Sequence, residues 1–273
     1  MTLNFSSPLI MGILNATPDS YFSASRINDL KSLEVHVNQM LLDGVDIIDI
    51  GGQSTRPGAT KISADEEWSR VSQMISFLTT AFPSVPISID TFYAEVAEMA
   101  LDLGVAIVND VYAGRESSKI YEVSRRYEAY YVLMHSRGDA ATMNTLNNYH
   151  NITEEVKLYF SNEILEKQLS ADAKIILDPG FGFAKDTEQN FELLNNLNRL
   201  QSFNWPILVG ISRKKMIQNI LSCSADEALN GTTAVHMAAL ERGANILRVH
   251  DVKQAKECVQ LFLALNRSQG ILH

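Results

Sequence analysis

The stretch Asp46-Ile47-Ile48-Asp49-Ile50-Gly51-Gly52 decides how the rest of the chain is read. It is a short, mostly apolar run that begins just after Gly44 and closes on a glycine pair. Near-continuous hydrophobicity of this kind suits a parallel strand buried on both faces. Similar runs rich in Ile, Val and Leu recur about every 25 to 40 residues, each followed by a longer amphipathic stretch, the pattern of repeated βα units. Eight are counted: Leu9 to Asn15, Asp46 to Gly51, Pro86 to Asp90, Ala106 to Asp110, Tyr131 to Met134, Lys174 to Asp178, Ile207 to Ile211, and Ile246 to His250. Ser63-Ala64-Asp65-Glu66 and Ser224-Ala225-Asp226-Glu227 each place a Ser three residues before a Glu and announce helices as capping boxes. Gly44, Gly104 and Gly243 close the helices before strands 2, 4 and 8.

Eight such units, with no G-x-G-x-x-G after the first strand, favour closure into an α/β (β/α)8 TIM barrel over an open dinucleotide-binding sheet. The 273 residues are close to the roughly 250 of a one-domain barrel. No Pro/Ser-rich linker or charge block divides them, so residues 1–273 read as a single domain. The longest irregular stretch, Ser136 to Asn148, follows strand 5 on the expected active-site face. With 46% hydrophobic and 20% charged residues the composition is globular. A net charge of -9 argues against nucleic-acid or anionic-membrane binding, because a phosphate backbone demands a basic face. Cys223 and Cys258 have no Cys/His companions and read as helix packing residues in a reducing compartment. There is no basic residue before Arg26, no apolar leader and no membrane-length apolar run, so a cytoplasmic location is expected.

In such a barrel catalysis collects where the strands end. Here the runs end at Asn15, Gly51-Gly52-Gln53-Ser54-Thr55-Arg56-Pro57-Gly58, Asp90-Thr91, Asn109-Asp110, Met134-His135, Asp178-Pro179-Gly180, Ser212-Arg213-Lys214 and Arg248-Val249-His250-Asp251. Asp90, Asn109 and Asp178 supply two carboxylates and an amide, a set suited to an edge-on heterocycle that presents an amino group and ring N–H donors. Lys214 suits that ring's carbonyl oxygen. Asn15, Arg248 and His250, on adjacent strands 1 and 8, offer groups for a phosphate. Singly, each has a structural alternative. Asp90 or Asn109 could cap a helix, Asp178-Pro179-Gly180 could be a turn, the histidines could be structural, and Arg213-Lys214 could be a solvated pair. Their coincidence at strand ends points to a site for a heterocycle and an anion.

At these motifs the sequence resembles the dihydropteroate synthases, from Met11 to Val252. The resemblance rests on Met11-Gly12-Ile13-Leu14-Asn15 with Thr17-Pro18-Asp19-Ser20, on Asp46 to Gly52 running into Ser54-Thr55-Arg56-Pro57-Gly58, and on Ser88-Ile89-Asp90-Thr91. It continues in order through Asn109-Asp110, Leu133-Met134-His135, Ile176-Leu177-Asp178-Pro179-Gly180-Phe181-Gly182-Phe183, Ser212-Arg213-Lys214 and Arg248-Val249-His250-Asp251. It implies condensation of 6-hydroxymethyl-7,8-dihydropterin pyrophosphate with 4-aminobenzoate in folate synthesis, and a homodimer. By the family's pattern Asp90, Asn109, Asp178 and Lys214 would hold the pterin, with Met134 packing near it. Asn15, Arg248 and His250 would take the pyrophosphate, Asn15 through Mg2+. Thr55, Arg56 and Pro57 would form a mobile loop over the 4-aminobenzoate site, to which Phe183 and Ser212 contribute. Asp90, Lys214, Arg248 and His250 would be the catalytic residues.

Pyrophosphate is a good leaving group and the pterin ring can delocalise the cation left behind, so this chemistry needs no nucleophile or strong general base. The chain departs from the family pattern at Tyr21-Phe22-Ser23-Ala24-Ser25, at Gln53 in place of the usual Glu, and at Ser136-Arg137-Gly138-Asp139. The altered first loop motivates one alternative, a catalytically silent pterin-binding paralogue. A pterin-dependent methyltransferase is a second, and a Schiff-base aldolase using Lys214 a more distant third.

Overall fold

The computed structural model describes residues 2–16, 27–54, 59–138 and 142–268. Its strands are β1 (Leu9–Asn15), β2 (Ile47–Gly51), β3 (Ile87–Asp90), β4 (Ile107–Asp110), β5 (Tyr130–Met134), β6 (Ile175–Asp178), β7 (Leu208–Val209) and β8 (Ile246–Val249). The helices are α1 (Ile27–Leu42), α2 (Ala64–Ala81), α3 (Ala94–Asp102), α4 (Ile120–Arg126), α5 (Ile152–Glu166), α6 (Thr187–Asn195), α7 (Lys215–Leu221), α8 (Leu229–Glu241) and α9 (Val252–Ser268). All strand pairs are parallel, in the order β6-β5-β4-β3-β2-β1-β8-β7. The ends of the chain join where Leu9 to Gly12 of β1 lie in register with Ile246 to Val249 of β8. A single bridge, Leu177 to Ile207, links β6 to β7. The expected (β/α)8 barrel is therefore present and nearly closed, with an additional helix in the crossover between β7 and β8.

Strand parity explains how this frame makes a site. Side chains alternate between the two faces of a strand. One face of the sheet packs on the helices through residues such as Ile48, Ile50, Ile89, Val108, Leu133, Leu177 and Leu247. The other fills the barrel interior with Met11, Ile47, Ile107, Val132, Ile176, Leu208 and Ile246. Leu3 joins this inner layer from the N-terminal segment, its N–H donating to the Tyr130 hydroxyl at 3.2 Å. Burial of each such side chain stabilises by about 1.5–3 kcal/mol. Two residues further along the strands, the inward positions are Asp49, Asn109, Met134, Asp178 and Arg248. Asp90, two residues after buried Ser88, follows the same parity. The polar residues thus form the layer above an apolar plug.

Local signals held in part. Ser63 caps α2, accepting the N–H of Glu66, but the Glu66 carboxylate turns to Arg70 instead of closing the box. The Ser224/Glu227 box is closed in both directions, yet it sits in a turn and α8 begins only at Leu229. A box with no Ser, Asp186 with Gln189, opens α6. The seventh strand is shorter than its apolar run, because the chain leaves the sheet at Gly210 and turns at Arg213, whose φ is 55°. Cys223 lies in the loop after α7 rather than in a helix, while Cys258 is buried in α9. Among the described residues no helix is long and apolar enough to cross a membrane.

Candidate active site

At the C-terminal mouth of the barrel, β2, β3, β4 and β8 bring together one connected charged network. The Arg248 guanidinium donates from Nε to Asp49 Oδ2 at 2.7 Å and from Nη2 to Asp90 Oδ2 at 2.6 Å. The Asn109 amide donates to the same Asp49 oxygen at 3.2 Å. Burial works against the Arg248 charge, but Asp49 and Asp90 outweigh it and hold the guanidinium above its ordinary pKa. Burial pushes Asp90 up to about 7, against the pull of Arg248 and with help from the charge on Asp49. Asp90 is no helix cap: α3 starts beyond it at Ala94, and its N-cap residue Tyr93 makes no side-chain cap bond.

Asp178 and Lys214 lie on the far side of the mouth. One Asp178 oxygen accepts the Gly180 N–H at 2.7 Å, so the turn reading is half right. Burial raises the Asp178 pKa and Lys214 pulls it back. Burial lowers Lys214 to about 8, with Asp178 opposing. The Lys214 ammonium donates to the Phe181 carbonyl and stands 5.0 Å from the Phe183 ring centroid, a cation–π distance. Its neighbour does something else. Arg213 turns outward and binds both Asp251 oxygens, at 2.8 and 2.7 Å, so it belongs to the scaffold.

Met134 packs with Phe92, Val111 and Tyr112, and Phe183 lies against this group as a separate apolar wall above the barrel core. Ser212 and His250 are paired, Oγ to Nδ1 at 3.0 Å, so the serine expected beside 4-aminobenzoate stands against the histidine expected at the anion. Asn15 is exposed at the end of β1. Thr55, Arg56 and Pro57 lie outside the described residues, as do Thr17 to Ser25. Asp110, at the end of β4, is a loop staple that accepts the N–H groups of Tyr112 and Gly114 and the Tyr131 hydroxyl.

The strand-end reading missed three buried groups. Asp49 sits inside an apolar run, and its signal was a charge at an inward position, since a buried charge needs a partner. Lys185 sits behind the β6 loop, donating to the carbonyls of Gly180 and Phe183 at 2.8 and 3.0 Å and lying 2.9 Å from His135 Nδ1. Burial lowers its pKa well below the usual lysine range. Gly180 is required there: its φ is 70°, and a Cβ would meet the His135 carbonyl oxygen at 1.9 Å.

The third is Glu67 of α2, which accepts the Thr91 hydroxyl at 2.8 Å while its other oxygen is buried, with the Gln53 side chain beside it. Burial raises its pKa to about 7. A carboxyl raised on folding contributes stability that is full below its ordinary pKa and is lost as pH rises toward 7. Wild-type protein should therefore lose up to about 3 kcal/mol at this group between about pH 4 and 7.5, and Glu67→Gln should remove that loss. Urea midpoints at about pH 5 and about pH 8 would test this; equal pH slopes for the two proteins would defeat it.

The site can hold a flat, donor-bearing ring between buried acceptors and an apolar wall, with cations on two sides. The family described as "Pterin binding enzyme" matches residues 11–250. The dihydropteroate synthase of Bacillus subtilis (strain 168) is 37% identical over 266 residues, 97% of this chain and 91% of that protein. A crystal structure of dihydropteroate synthase from Clostridium difficile in the presence of pteroic acid matches with a TM-score of 0.89 at 39% identity, covering 98% of this chain and 100% of that one. The Xanthomonas albilineans dihydropteroate synthase with 4-aminobenzoic acid matches with a TM-score of 0.87 at 33% identity, covering 97% and 95%.

Proposed function

We infer the chemistry of this site from one premise: the chain belongs to the pterin-binding enzymes, in the dihydropteroate synthase family. It is a transferase that condenses 6-hydroxymethyl-7,8-dihydropterin pyrophosphate with 4-aminobenzoate, giving 7,8-dihydropteroate and pyrophosphate. The observation that carries the residue assignments is the convergence of three buried acceptors, Asp90, Asn109 and Asp178, above an apolar plug and opposite Lys214.

In this reading the pterin lies edge-on to those acceptors, with Met134 and Phe183 against its faces. Lys214 donates to the ring carbonyl. The C–O bond to the pyrophosphate breaks and its electron pair leaves with the oxygen, so positive charge spreads over the ring. Asp90 and Asp178 stabilise that charge electrostatically at the moment it develops. The neutral arylamine of 4-aminobenzoate then forms the C–N bond and afterwards releases its proton. Ser212 orients His250, which with Arg248 serves the leaving anion. Thr55, Arg56, Pro57 and Phe183 border the arylamine.

Among the described residues no group of three His, Cys, Asp or Glu could hold a metal ion. The exposed Asn15 amide oxygen nevertheless suits Mg2+, which is commonly held by few protein ligands plus substrate phosphates and water. Bound there, Mg2+ would neutralise charge on the departing pyrophosphate. The reading also takes residues 1–273 as one domain acting in the cytoplasm as a homodimer. A sedimentation mass equal to the chain's 30.4 kDa would overturn the dimer.

The decisive assay follows pyrophosphate release and dihydropteroate formation with and without 4-aminobenzoate and Mg2+. Stoichiometric products that need both additions are expected. Pterin binding without turnover would replace the synthase by a silent pterin-binding protein, and methyl transfer from a methylated pterin would replace it by a methyltransferase.

A further inference from the structure

Asp49 is wholly buried in the middle of β2 and has been given no part in the reaction. Its Oδ2 accepts from Arg248 Nε at 2.7 Å and from Asn109 Nδ2 at 3.2 Å. The Asn109 amide is itself buried, and its Oδ1 has no hydrogen-bond partner among the described residues. An amide can present either its oxygen or its NH2 to a given side, and what lies against it decides which. A carboxylate engaged by a guanidinium offers only acceptors. Were the Asn109 amide turned over, its oxygen would face an oxygen of Asp49, and the NH2 would be left to the unpartnered side. Asp49 therefore commits Asn109 to showing an acceptor on its remaining edge. The same carboxylate oxygen fixes one arm of Arg248, whose other arm holds Asp90.

We propose that Asp49 is a positioning residue that sets the hydrogen-bond polarity of the pterin pocket, making Asn109 an obligatory acceptor for a ring N–H or amino group. The proposal rests on the pterin-binding reading above and adds to it the element that selects which edge of a heterocycle is accepted. A ring that presents a carbonyl or an unprotonated nitrogen to Asn109 would meet acceptor against acceptor, and leaving such a buried group unpaired is costly.

Two substitutions of Asp49 test this. Asp49→Leu removes the acceptor and leaves the Asn109 amide free to turn; it should raise KM for the dihydropterin pyrophosphate by roughly 10-fold or more, with KM for 4-aminobenzoate changed by less than about 3-fold. Asp49→Asn keeps an acceptor, because the Arg248 Nε–H holds the new amide's oxygen where Asp49 Oδ2 stood and that oxygen still accepts from Asn109. Its pterin KM should stay within roughly 3-fold of wild type.

If Asp49→Leu does not fold, Asp49→Ser takes its place, since a hydroxyl can donate or accept and no longer dictates which way the amide turns. An Asp49→Asn protein that loses as much pterin affinity as the variant without the fixed acceptor overturns the proposal, since charge or packing and not the acceptor would then be at work; so does a wild-type pterin KM in that variant. Equal losses for both substrates also overturn it. A wild-type chain that neither binds nor turns over the pterin defeats the underlying reading, an outcome separate from a failed substitution test in an active enzyme.

Discussion

Lys214→Ala should lower kcat/KM for the dihydropterin pyrophosphate by roughly 10²–10³-fold, the usual loss when a charged donor that positions a substrate is removed from a dry site. The loss should fall on kcat and KM together, because the ammonium seats the ring and holds it in the geometry from which the leaving group departs. The pH dependence separates this role from simple packing. Burial lowers Lys214 to about 8, so its charge is present below that value and absent above it. Wild-type kcat/KM should therefore fall on the alkaline side with an apparent pKa about 8, and the variant's residual activity should lack that limb. Lys61 reads as an exposed lysine, but it lies 5.1 Å from the Phe92 ring centroid beside the apolar wall. Exposed Lys253 on α9 is the better control, and its alanine variant should be silent. Equal activity in the Lys214 and Lys253 variants would remove Lys214 from the mechanism.

Arg248→Met should cost about 3–5 kcal/mol of stability, because it strands two buried carboxylates that share one cation. For a chain of this size that corresponds to a fall of roughly 10 °C in melting temperature. The cost comes from uncompensated charge and not from lost packing, since Met keeps much of the aliphatic stem. Adding Asp49→Asn to Arg248→Met should therefore recover a substantial part of the loss, although each change is unfavourable alone. Calorimetry on the three proteins checks this, and strictly additive losses would show that the network is not held by Arg248. The same argument bears on activity: freed of Arg248, Asp90 moves further up in pKa and ceases to be a reliable acceptor near neutral pH.

The barrel was legible because its strands are buried on both faces and so read as uninterrupted apolar runs, eight times over. Most of the candidate site was legible too, since Asp90, Asn109, Asp178 and Lys214 stand at or just beyond the ends of such runs. Asp49 was not, because attention to what ends a run passes over a charge inside it. Parity would have found it: Asp49 is two residues beyond the inner-core residue Ile47, as Asn109 is beyond Ile107 and Asp178 beyond Ile176. Glu67 and Lys185 carried weaker signals. Glu67 looked like one more acid in the first turn of an amphipathic helix, and its burial is decided by Gly52, where any Cβ would meet the Glu67 side chain at 2.8 Å. Lys185 follows a glycine-rich loop whose folding back over His135 is a tertiary matter. The pairing of Ser212 with His250 joins strands 7 and 8 in space, which no local pattern announces.

The single bridge between β6 and β7 has a thermodynamic meaning of its own. A barrel hooped by ladders of several paired residues everywhere except at one stave gap, which a single bridge spans, can breathe there at the smallest free-energy cost. Asp178 ends the stave on one side of the gap, and Lys214 follows the stave on the other. A pterin gripped by both would supply the missing hoop. Occupancy of the site and closure of the barrel would then be linked equilibria: the ligand tightens the scaffold that binds it, and any change that loosens the gap weakens binding from a distance.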